Sequence, residues 1–254
     1  MNFSVISTKT LLGKTLRLPL RLIPPDMRMP ILQGKLRGKK WIVGSSNHGC
    51  WLGSYEYEKR LLFEKTIIEG SIVFDIGAHV GFYTILASVL SGTCGRVFAF
   101  EPLPQNLLYL KKHLRLNHIT NVSIIEAAVS DCNGVIFFKE GTSTSTGYIS
   151  QQGQMKVKTV SLDSLISRGE IPVPSHIKID VEGAEVLVLS GAKSILAKYN
   201  PIIFLATHGF DKRQQCRQLL NSLGYKLQAI GGKSAKQSNE IIAYKRNEVF
   251  RSIC

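Results

Sequence analysis

Residues 73–81, VFDIGAHVG, decide the fold of this chain. The apolar start predicts a buried strand that delivers Asp75 and runs into a glycine turn, and a helix opens at about Gly81. Open α/β sheets bind ligands at this carboxyl edge, near the point where the strand order reverses. Because a Cβ at Gly77 would block a close approach, the glycine there indicates that the backbone passes near a ligand.

Short apolar strands alternate with helical patterns from residue 72 onward, which predicts an α/β fold with a mostly parallel sheet. An antiparallel hairpin is expected before the fourth strand, around a Ser/Thr/Gly/Gln-rich loop at 141–154, and a second at the C-terminus around GGKSAKQSN. The predicted strands are 72–76, 96–100, 122–125, 176–179 and 201–205, the helices 82–90, 105–117, 184–198 with a break at Gly191, and 211–223, and the hairpin strands 135–139 with 156–160 and 225–229 with 240–244.

The charge of the chain is unevenly placed. Its 254 residues carry a net charge of +14, and they fit an α/β domain at 71–254 preceded by a basic N-terminal extension and cap at 1–70. Residues 1–70 carry 12 Lys and Arg against 5 Asp and Glu, 71–210 carry 11 against 10, and 211–254 carry 9 against 3. The basic ends are compatible with contact to a membrane surface, an acidic substrate or nucleic acid, and also with simple exposure to solvent.

The sequence favours a cytoplasmic protein. No run approaches the ~20 apolar residues of a spanning helix, and the N-terminus lacks the apolar block of a secretory signal. The five cysteines are odd in number, far apart and without CxxC spacing, so neither a zinc site nor a disulfide framework is indicated. The basic stretch from Lys9 to Lys40 predicts a peripheral contact with an anionic membrane.

The glycine turn distinguishes two cofactor classes. Gly77 and Gly81 give G-x-x-x-G rather than the G-x-G-x-x-G of dinucleotide-binding units. A pyrophosphate requires backbone N–H groups with no carboxylate beside them, and Asp75 would repel it. S-adenosylmethionine has no phosphate and carries an ammonium and a sulfonium, which an acidic residue suits. The turn therefore favours a methyltransferase over a dinucleotide enzyme.

Two further stretches predict cofactor contacts. Glu101 ends the second strand in VFAFEP, where a carboxylate is able to accept hydrogen bonds from ribose hydroxyls, and Pro102 keeps the exit rigid. The alternative is that Glu101 only caps the next helix. Ala127, in NVSIIEAAVSD after the third strand, is expected along the adenine side of the pocket.

The fourth strand ends in a cluster of acids, IKIDVEGAE. Carboxylates so close at a strand end are costly unless they are used or capped. We expect Asp180 to point into the cleft, while Glu182 and Glu185 have a helix-capping role as their alternative.

Together these stretches resemble the FkbM-type family of S-adenosylmethionine-dependent methyltransferases over about 71–210. The motifs DIGAxxGxxT, AFEP and KIDVEGAE, in this order, carry the resemblance. It implies the class I methyltransferase fold, S-adenosylmethionine as cofactor, methylation of sugar or natural-product hydroxyls, cofactor contacts at Asp75, Gly77 and Glu101, and an active-site acid at Asp180. The chain departs from the family pattern at His79, where Asn is usual, and at Thr207, where a Glu often precedes His208.

Methylation of an alcohol requires a base as the proton leaves. Asp180 and His208 are the candidates, and His208 has a suitable unperturbed pKa of ~6.5; a strand-end structural histidine is its alternative. No clear metal-ligand set accompanies Asp180. The expected partner is a small-molecule acceptor, a sugar, glycolipid or natural product. Nitrogen methylation and a catalytically weak cofactor-binding protein stay open, whereas the missing (D/N)PPY motif and aromatic interleaving argue against nucleic acid.

Overall fold

The computed structural model describes residues 19–140, 147–149, 155–231 and 238–245. Three predicted segments lie partly outside these ranges, namely the basic stretch from Lys9 to Lys40, the loop at 141–154 and the loop at 231–239. Within the described ranges no helix combines the length and the apolar character that a bilayer-spanning segment requires.

Thirteen strands and eight α-helices are described, and they are numbered in chain order. The strands are β1 Arg28–Pro30, β2 Lys40–Ile42, β3 Ile72–Ile76, β4 Arg96–Phe100, β5 Val122–Ile125, β6 Ala128–Val129, β7 Gly134–Glu140, β8 Gly147–Ile149, β9 Met155–Val160, β10 His176–Ile179, β11 Ile202–Ala206, β12 Lys226–Ala229 and β13 Glu240–Tyr244. The α-helices are α1 Gly49–Leu52, α2 Tyr57–Thr66, α3 Phe82–Ser91, α4 Pro104–Leu116, α5 Leu162–Ser167, α6 Glu185–Ser190, α7 Lys193–Tyr199 and α8 Phe210–Ser222.

The main sheet has seven strands in the order β12-β13-β11-β10-β3-β4-β5. The five strands from β11 to β5 are parallel, whereas β13 runs antiparallel to both β11 and β12. The chain moves outward from β3 to β4 and β5 and later returns to β10 on the other side of β3. The switch point therefore lies between β3 and β10, and it brings the ends of their motifs together.

This architecture confirms the expected α/β class I methyltransferase fold with its C-terminal antiparallel hairpin. Four of the five predicted parallel strands have the observed bounds, and β11 begins and ends one residue later than expected. The inserted hairpin is also present as the antiparallel pair β7 and β9. It belongs to a separate four-stranded sheet, β6-β9-β7-β8, which the sequence pattern did not predict.

The described part of the N-terminal extension shares a hydrophobic core with one face of the main sheet. Trp41 and Phe63 are fully buried in the same cluster as Val73, Ile85 and Phe204. Strand β2 is also held to the end of α4. The Lys40 N–H donates to the Asn117 side chain at 2.7 Å and the Ile42 N–H to Nε2 of His113 at 3.1 Å. Nδ1 of His113 lies 2.8 Å from the Val80 carbonyl oxygen, so His113 links β2 to the turn that follows β3.

Candidate active site

A cavity of about 260 Å³ opens at the carboxyl ends of β3, β4 and β10. The turn after β3 forms its floor, and the segment between β4 and α4 forms one side. Residues of the extension complete it from the opposite side. The lining residues include Ser46, Asn47, Cys50, Tyr55, Gly77, His79, Phe82, Tyr83, Glu101, Pro102, Leu103, Ala127, Lys178, Asp180 and Glu182.

The turn after β3 is shaped by a close approach of two strands. Gly77 has a φ of +75°, and a Cβ there would lie 1.9 Å from the backbone carbonyl oxygen of Asp180. The glycine is therefore required by the neighbouring strand end, and the close approach of a ligand that the sequence indicates there stays a prediction. His79 has a φ of +52°, in the left-handed region that Asn and His adopt more readily than most residues. The replacement of the family's usual Asn by His79 thus keeps a residue compatible with this backbone.

Glu101 lines the cavity while its carboxylate holds the surrounding backbone. Oε2 accepts a hydrogen bond from the His79 N–H at 2.7 Å, and Oε1 accepts from the Leu103 N–H at 2.9 Å and from Asn106 at 3.1 Å. Burial raises the pKa of Glu101, although these donors oppose the rise. Glu101 therefore holds the residues at the start of α4 and also faces the cavity. A carboxylate has about four acceptor positions, and three of those of Glu101 are used.

Asp75 lies behind the cavity rather than on its wall. Its side chain is fully buried, with Oδ2 accepting from the Thr84 hydroxyl at 2.6 Å and Oδ1 lying 3.2 Å from Nζ of Lys178. Lys178 in turn donates to the Gly77 carbonyl oxygen at 2.7 Å and does line the cavity. Asp75 therefore acts on the site through Lys178, and a direct contact between Asp75 and a cofactor stays a prediction.

Asp180 reaches the cavity from the end of β10, and two buried lysines surround it. Lys59 of α2 places Nζ 3.7 Å from Asp180 and 2.8 Å from Glu240, and it also pairs with Glu56. Burial alone would raise the pKa of Asp180, but Lys178, Lys59 and His208 outweigh it and hold that pKa below its usual value. Asp180 is consequently an ionised carboxylate and a weak base.

His208 stands beside this carboxylate, just after β11. Its Nδ1 lies 2.8 Å from Oε1 of Glu185, while Nε2 lies 3.5 Å from Glu182 and 3.9 Å from Asp180. The hydrogen bond to Glu185 is the main cause that raises the pKa of His208, with burial opposing it and the other two carboxylates adding to the rise. The imidazole is about one-third exposed, so it is accessible from solvent.

The structure brings most of the predicted residues to one cavity. Gly77, His79, Glu101, Pro102, Ala127 and Asp180 all line it. Gly81 does not, and its φ of +98° instead serves the start of α3, where a Cβ would meet the Leu110 side chain. His208 lies at the rim beside Asp180 rather than among the lining residues. Among three aromatic residues of the extension, Tyr55 lines the cavity, whereas Trp51 and Tyr57 do not.

Lys178, Lys59 and Glu56 are the polar residues that sequence reasoning missed. A lysine within the otherwise apolar strand HIKI is itself a signal, because lysine is almost never fully buried without a partner. Lys59 gives no such signal, since it lies in a helix with charged residues on either side. Among the described residues no group of three or more His, Cys, Asp or Glu is arranged to hold a metal ion.

The fold and this edge-of-sheet cavity define a class I methyltransferase. A family model described as the methyltransferase FkbM domain matches residues 75–227, which is more than half of the chain. The chain therefore belongs to the FkbM methyltransferase family, and it is a methyltransferase. The expected family is confirmed, and so is the expectation of a methyltransferase.

Two proteins of known sequence are similar to this chain. The hexuronic acid methyltransferase AglP of Haloferax volcanii is 31% identical over 193 residues, which cover 75% of this chain and 73% of that protein. An uncharacterized protein of Methanocaldococcus jannaschii is 27% identical over 158 residues, which cover 59% of this chain and 54% of that protein.

Solved structures agree on the fold. The methyltransferase FkbM of Methylobacillus flagellatus KT superposes with a TM-score of 0.54 at 15% identity, covering 78% of this chain and 55% of its own. The ribosomal protein L11 methylase of Lactobacillus delbrueckii subsp. bulgaricus gives 0.50 at 13% identity, covering 80% of this chain and 81% of its own. At these identities the likeness shows the fold alone.

The family implies S-adenosylmethionine, and the residues of the cavity fit it. Glu101 retains an acceptor position suited to a ribose hydroxyl. Phe100, Leu103 and Val129 supply an apolar wall beside Ala127, as a purine ring requires. Asp180 offers a carboxylate to the cationic part of the molecule. The lining thus supplies both apolar side chains and carboxylates, and this cofactor has parts suited to each.

Proposed function

We propose that the protein transfers the methyl group of S-adenosylmethionine to a hydroxyl oxygen of a sugar-containing small molecule. The observation that carries the proposal is the position of His208, whose imidazole is able to accept a proton. It lies beside Asp180, which lines the cavity at the carboxyl edge of the sheet. A hydroxyl acceptor requires such a base. The 31% identity to AglP, a hexuronic acid methyltransferase by name, supports the sugar class.

Alignment and proton removal are the two tasks of this chain's residues. Bound S-adenosylmethionine supplies a methyl group on a sulfonium, which is already a good leaving group. Glu101 and the wall around Ala127 would hold and orient the nucleoside part. Holding an acceptor oxygen in line with the methyl group lowers the barrier mainly through positioning.

We assign the base to His208 rather than to Asp180. The lysines that lower the pKa of Asp180 make its carboxylate a poor proton acceptor, whereas the pKa of His208 is raised above its ordinary 6.5. General bases work best with a pKa near the working pH. Asp180 then accepts a hydrogen bond from the sugar substrate, and its charge stabilises the protonated imidazole of His208.

The test is methyl transfer from S-adenosylmethionine to a panel of neutral hexosides, hexuronosides and polyketide alcohols, read by mass spectrometry and by NMR of the methylated position. We expect an O-methyl sugar as product. His208→Asn should lower kcat by about 10²–10⁴-fold, the usual worth of a general base. His118→Asn is the matched control, because His118 is exposed and remote from the cavity lining. Transfer only to polyketide alcohols or to nitrogen would refute the proposal.

A further inference from the structure

Glu185 is a buried carboxylate, and a helix-capping role alone does not explain its position. It is the first residue of α6, and its side chain is completely buried. Oε1 accepts a hydrogen bond from the Gly183 N–H at 2.8 Å, as a residue holding a helix start would. The same oxygen lies 2.8 Å from Nδ1 of His208, and Oε2 has no hydrogen-bond partner among the described residues. Burying a carboxylate in this way is costly unless the charge serves a purpose.

The contact to His208 determines which ring nitrogen carries the proton. An ionised carboxylate only accepts hydrogen bonds, so Nδ1 must donate to Glu185. Neutral imidazole has a single N–H, and Nε2 is then left with its lone pair. The groups facing Nε2 are Glu182 at 3.5 Å and Asp180 at 3.9 Å, and Asp180 lines the cavity.

We propose that Glu185 is the positioning residue of His208, which it holds with Nδ1 protonated so that the free Nε2 takes the proton of the acceptor hydroxyl. This inference rests on the proposed function only in making His208 the base. Proton transfer to Nε2 would give an imidazolium whose Nδ1–H remains bonded to Glu185. The acceptor oxygen would form its bond to the methyl carbon as the carbon–sulfur bond of S-adenosylmethionine breaks and S-adenosylhomocysteine leaves. The three carboxylates of Asp180, Glu182 and Glu185 surround the charge that develops on the ring.

Glu185→Gln separates this role from a cap. A glutamine keeps the size of the side chain and an oxygen for the Gly183 N–H. Oε1 makes both contacts, so this oxygen also accepts from Nδ1–H, and the substitution removes the negative charge beside the ring without changing the tautomer. Loss of that charge lowers the pKa of His208 and removes the stabilisation of the imidazolium.

The decisive measurement is ¹⁵N NMR of the His208 ring, assigned with His208→Asn. In the wild type at a pH where the ring is neutral we expect the proton on Nδ1, and in Glu185→Gln we expect the same tautomer with a lowered pKa of the ring. Activity should fall by about 10²–10⁴-fold in kcat at unchanged cofactor affinity. Glu64→Gln is the matched control, since Glu64 is a mostly buried carboxylate paired with Arg60 outside the cavity lining, and its kcat should be unchanged.

Two results would overturn the inference, and the first of them does not require Glu185→Gln to fold. A neutral wild-type His208 with its proton on Nε2 removes the basis of the proposal. A folded Glu185→Gln with wild-type kcat shows that Glu185 only caps α6. If the wild type methylates no sugar hydroxyl, the proposed function fails, while the tautomer measurement still decides whether Glu185 orients the ring.

Discussion

Glu101 illustrates how one side chain serves both the fold and the ligand site. Its carboxylate accepts hydrogen bonds from the turn after β3 and from the segment before α4, both of which line the cavity. These two contacts hold the two segments together where the ribose is expected. A ligand hydroxyl would add to an arrangement that the protein already holds in place, so little reorganisation is required on binding.

Replacement of this carboxylate should weaken cofactor binding. For Glu101→Gln we expect a loss of about 1.5–3 kcal/mol, the worth of hydrogen bonds to a charged group, or roughly a 10–100-fold higher Kd. Calorimetric titration with S-adenosylhomocysteine measures it. Thermal unfolding must be recorded alongside, because the amide also changes the contact to His79. An unchanged Kd in a folded variant would leave Glu101 with its capping role alone.

The pKa of His208 predicts the pH dependence of turnover. Glu185 favours the protonated ring, so the folded-state pKa lies above 6.5 and the unprotonated base is present only as the pH rises through it. The profile of kcat/KM against pH should therefore rise and level off above a pKa higher than 6.5. Asp180, with its lowered pKa, stays ionised over the same range. The rise should vanish in His208→Asn, and its persistence there would assign the base elsewhere.

At the residue scale, sequence patterns identified positions better than roles. Glu101 and Asp180 were placed correctly because a parallel strand delivers its last side chains to the same edge of the sheet. Asp75 also ends a strand, but it points into the interior toward Lys178, and that pairing joins residues 103 positions apart. No local pattern encodes such a contact.

At the scale of elements, two glycines lie where separate segments of the chain approach each other closely. A Cβ at Gly77 would meet the Asp180 carbonyl oxygen at 1.9 Å, and one at Gly191 would meet the Ser130 carbonyl oxygen at 2.0 Å. Gly191 follows α6 and precedes α7, so the predicted break in the helix at 184–198 is confirmed. Its cause is a third segment, which the sequence of the helix alone does not reveal.

Gly77→Ala should lower the stability of the protein by more than the positive φ of residue 77 alone would cause. Alanine at positive φ costs roughly 1–2 kcal/mol, and the contact with a backbone oxygen adds to this because β3 and β10 are paired and cannot both yield. Gly38→Ala is the matched control, with a φ of +88° and nothing within 4 Å of the added Cβ. Urea unfolding should show the larger loss of stability for Gly77→Ala, and equal losses would contradict the steric argument.

The four-stranded sheet contains strands that the sequence pattern predicted and a strand that it did not. The patterns at 135–139 and 156–160 predicted the pair that β7 and β9 form. Strand β6 has only two residues, Ala128 and Val129, and it pairs in parallel with β9. So short a run has no periodicity to detect, and a parallel pairing between distant segments has no turn residues to mark it.

At the scale of the whole molecule, the extension is joined to the catalytic edge by both apolar and ionic contacts. The ring of Phe63 in α2 lies 5.1 Å from that of Tyr83 in α3 and 5.0 Å from that of Phe204 in β11. One turn earlier in the same helix, Lys59 bonds to Glu240 at the start of β13. Burial would lower the pKa of Lys59, but Glu56, Asp180 and Glu240 outweigh it and raise that pKa, so the buried lysine remains charged.

The boundary drawn at residue 70 from charge and composition therefore has a testable consequence. If residues before it folded independently, a substitution there would lower the stability of the extension alone and give a separate early transition. Because Phe63 is buried against the sheet, we expect Phe63→Ala to destabilise the entire molecule by about 3–5 kcal/mol, the cost of a large cavity in a core. Unfolding should remain one cooperative step.

Far-ultraviolet circular dichroism and tryptophan fluorescence test this in one urea titration. Both tryptophans, Trp41 and Trp51, lie in the extension, so fluorescence reports on that segment while circular dichroism reports mainly on the α/β domain. The two curves of Phe63→Ala should coincide and shift together. Phe137→Ala is the control, since Phe137 is 43% exposed on the other sheet and its loss should cost much less. A fluorescence transition that precedes the dichroism transition would show that the extension unfolds by itself, and the catalytic edge would then be completed by a segment that docks onto an already folded domain.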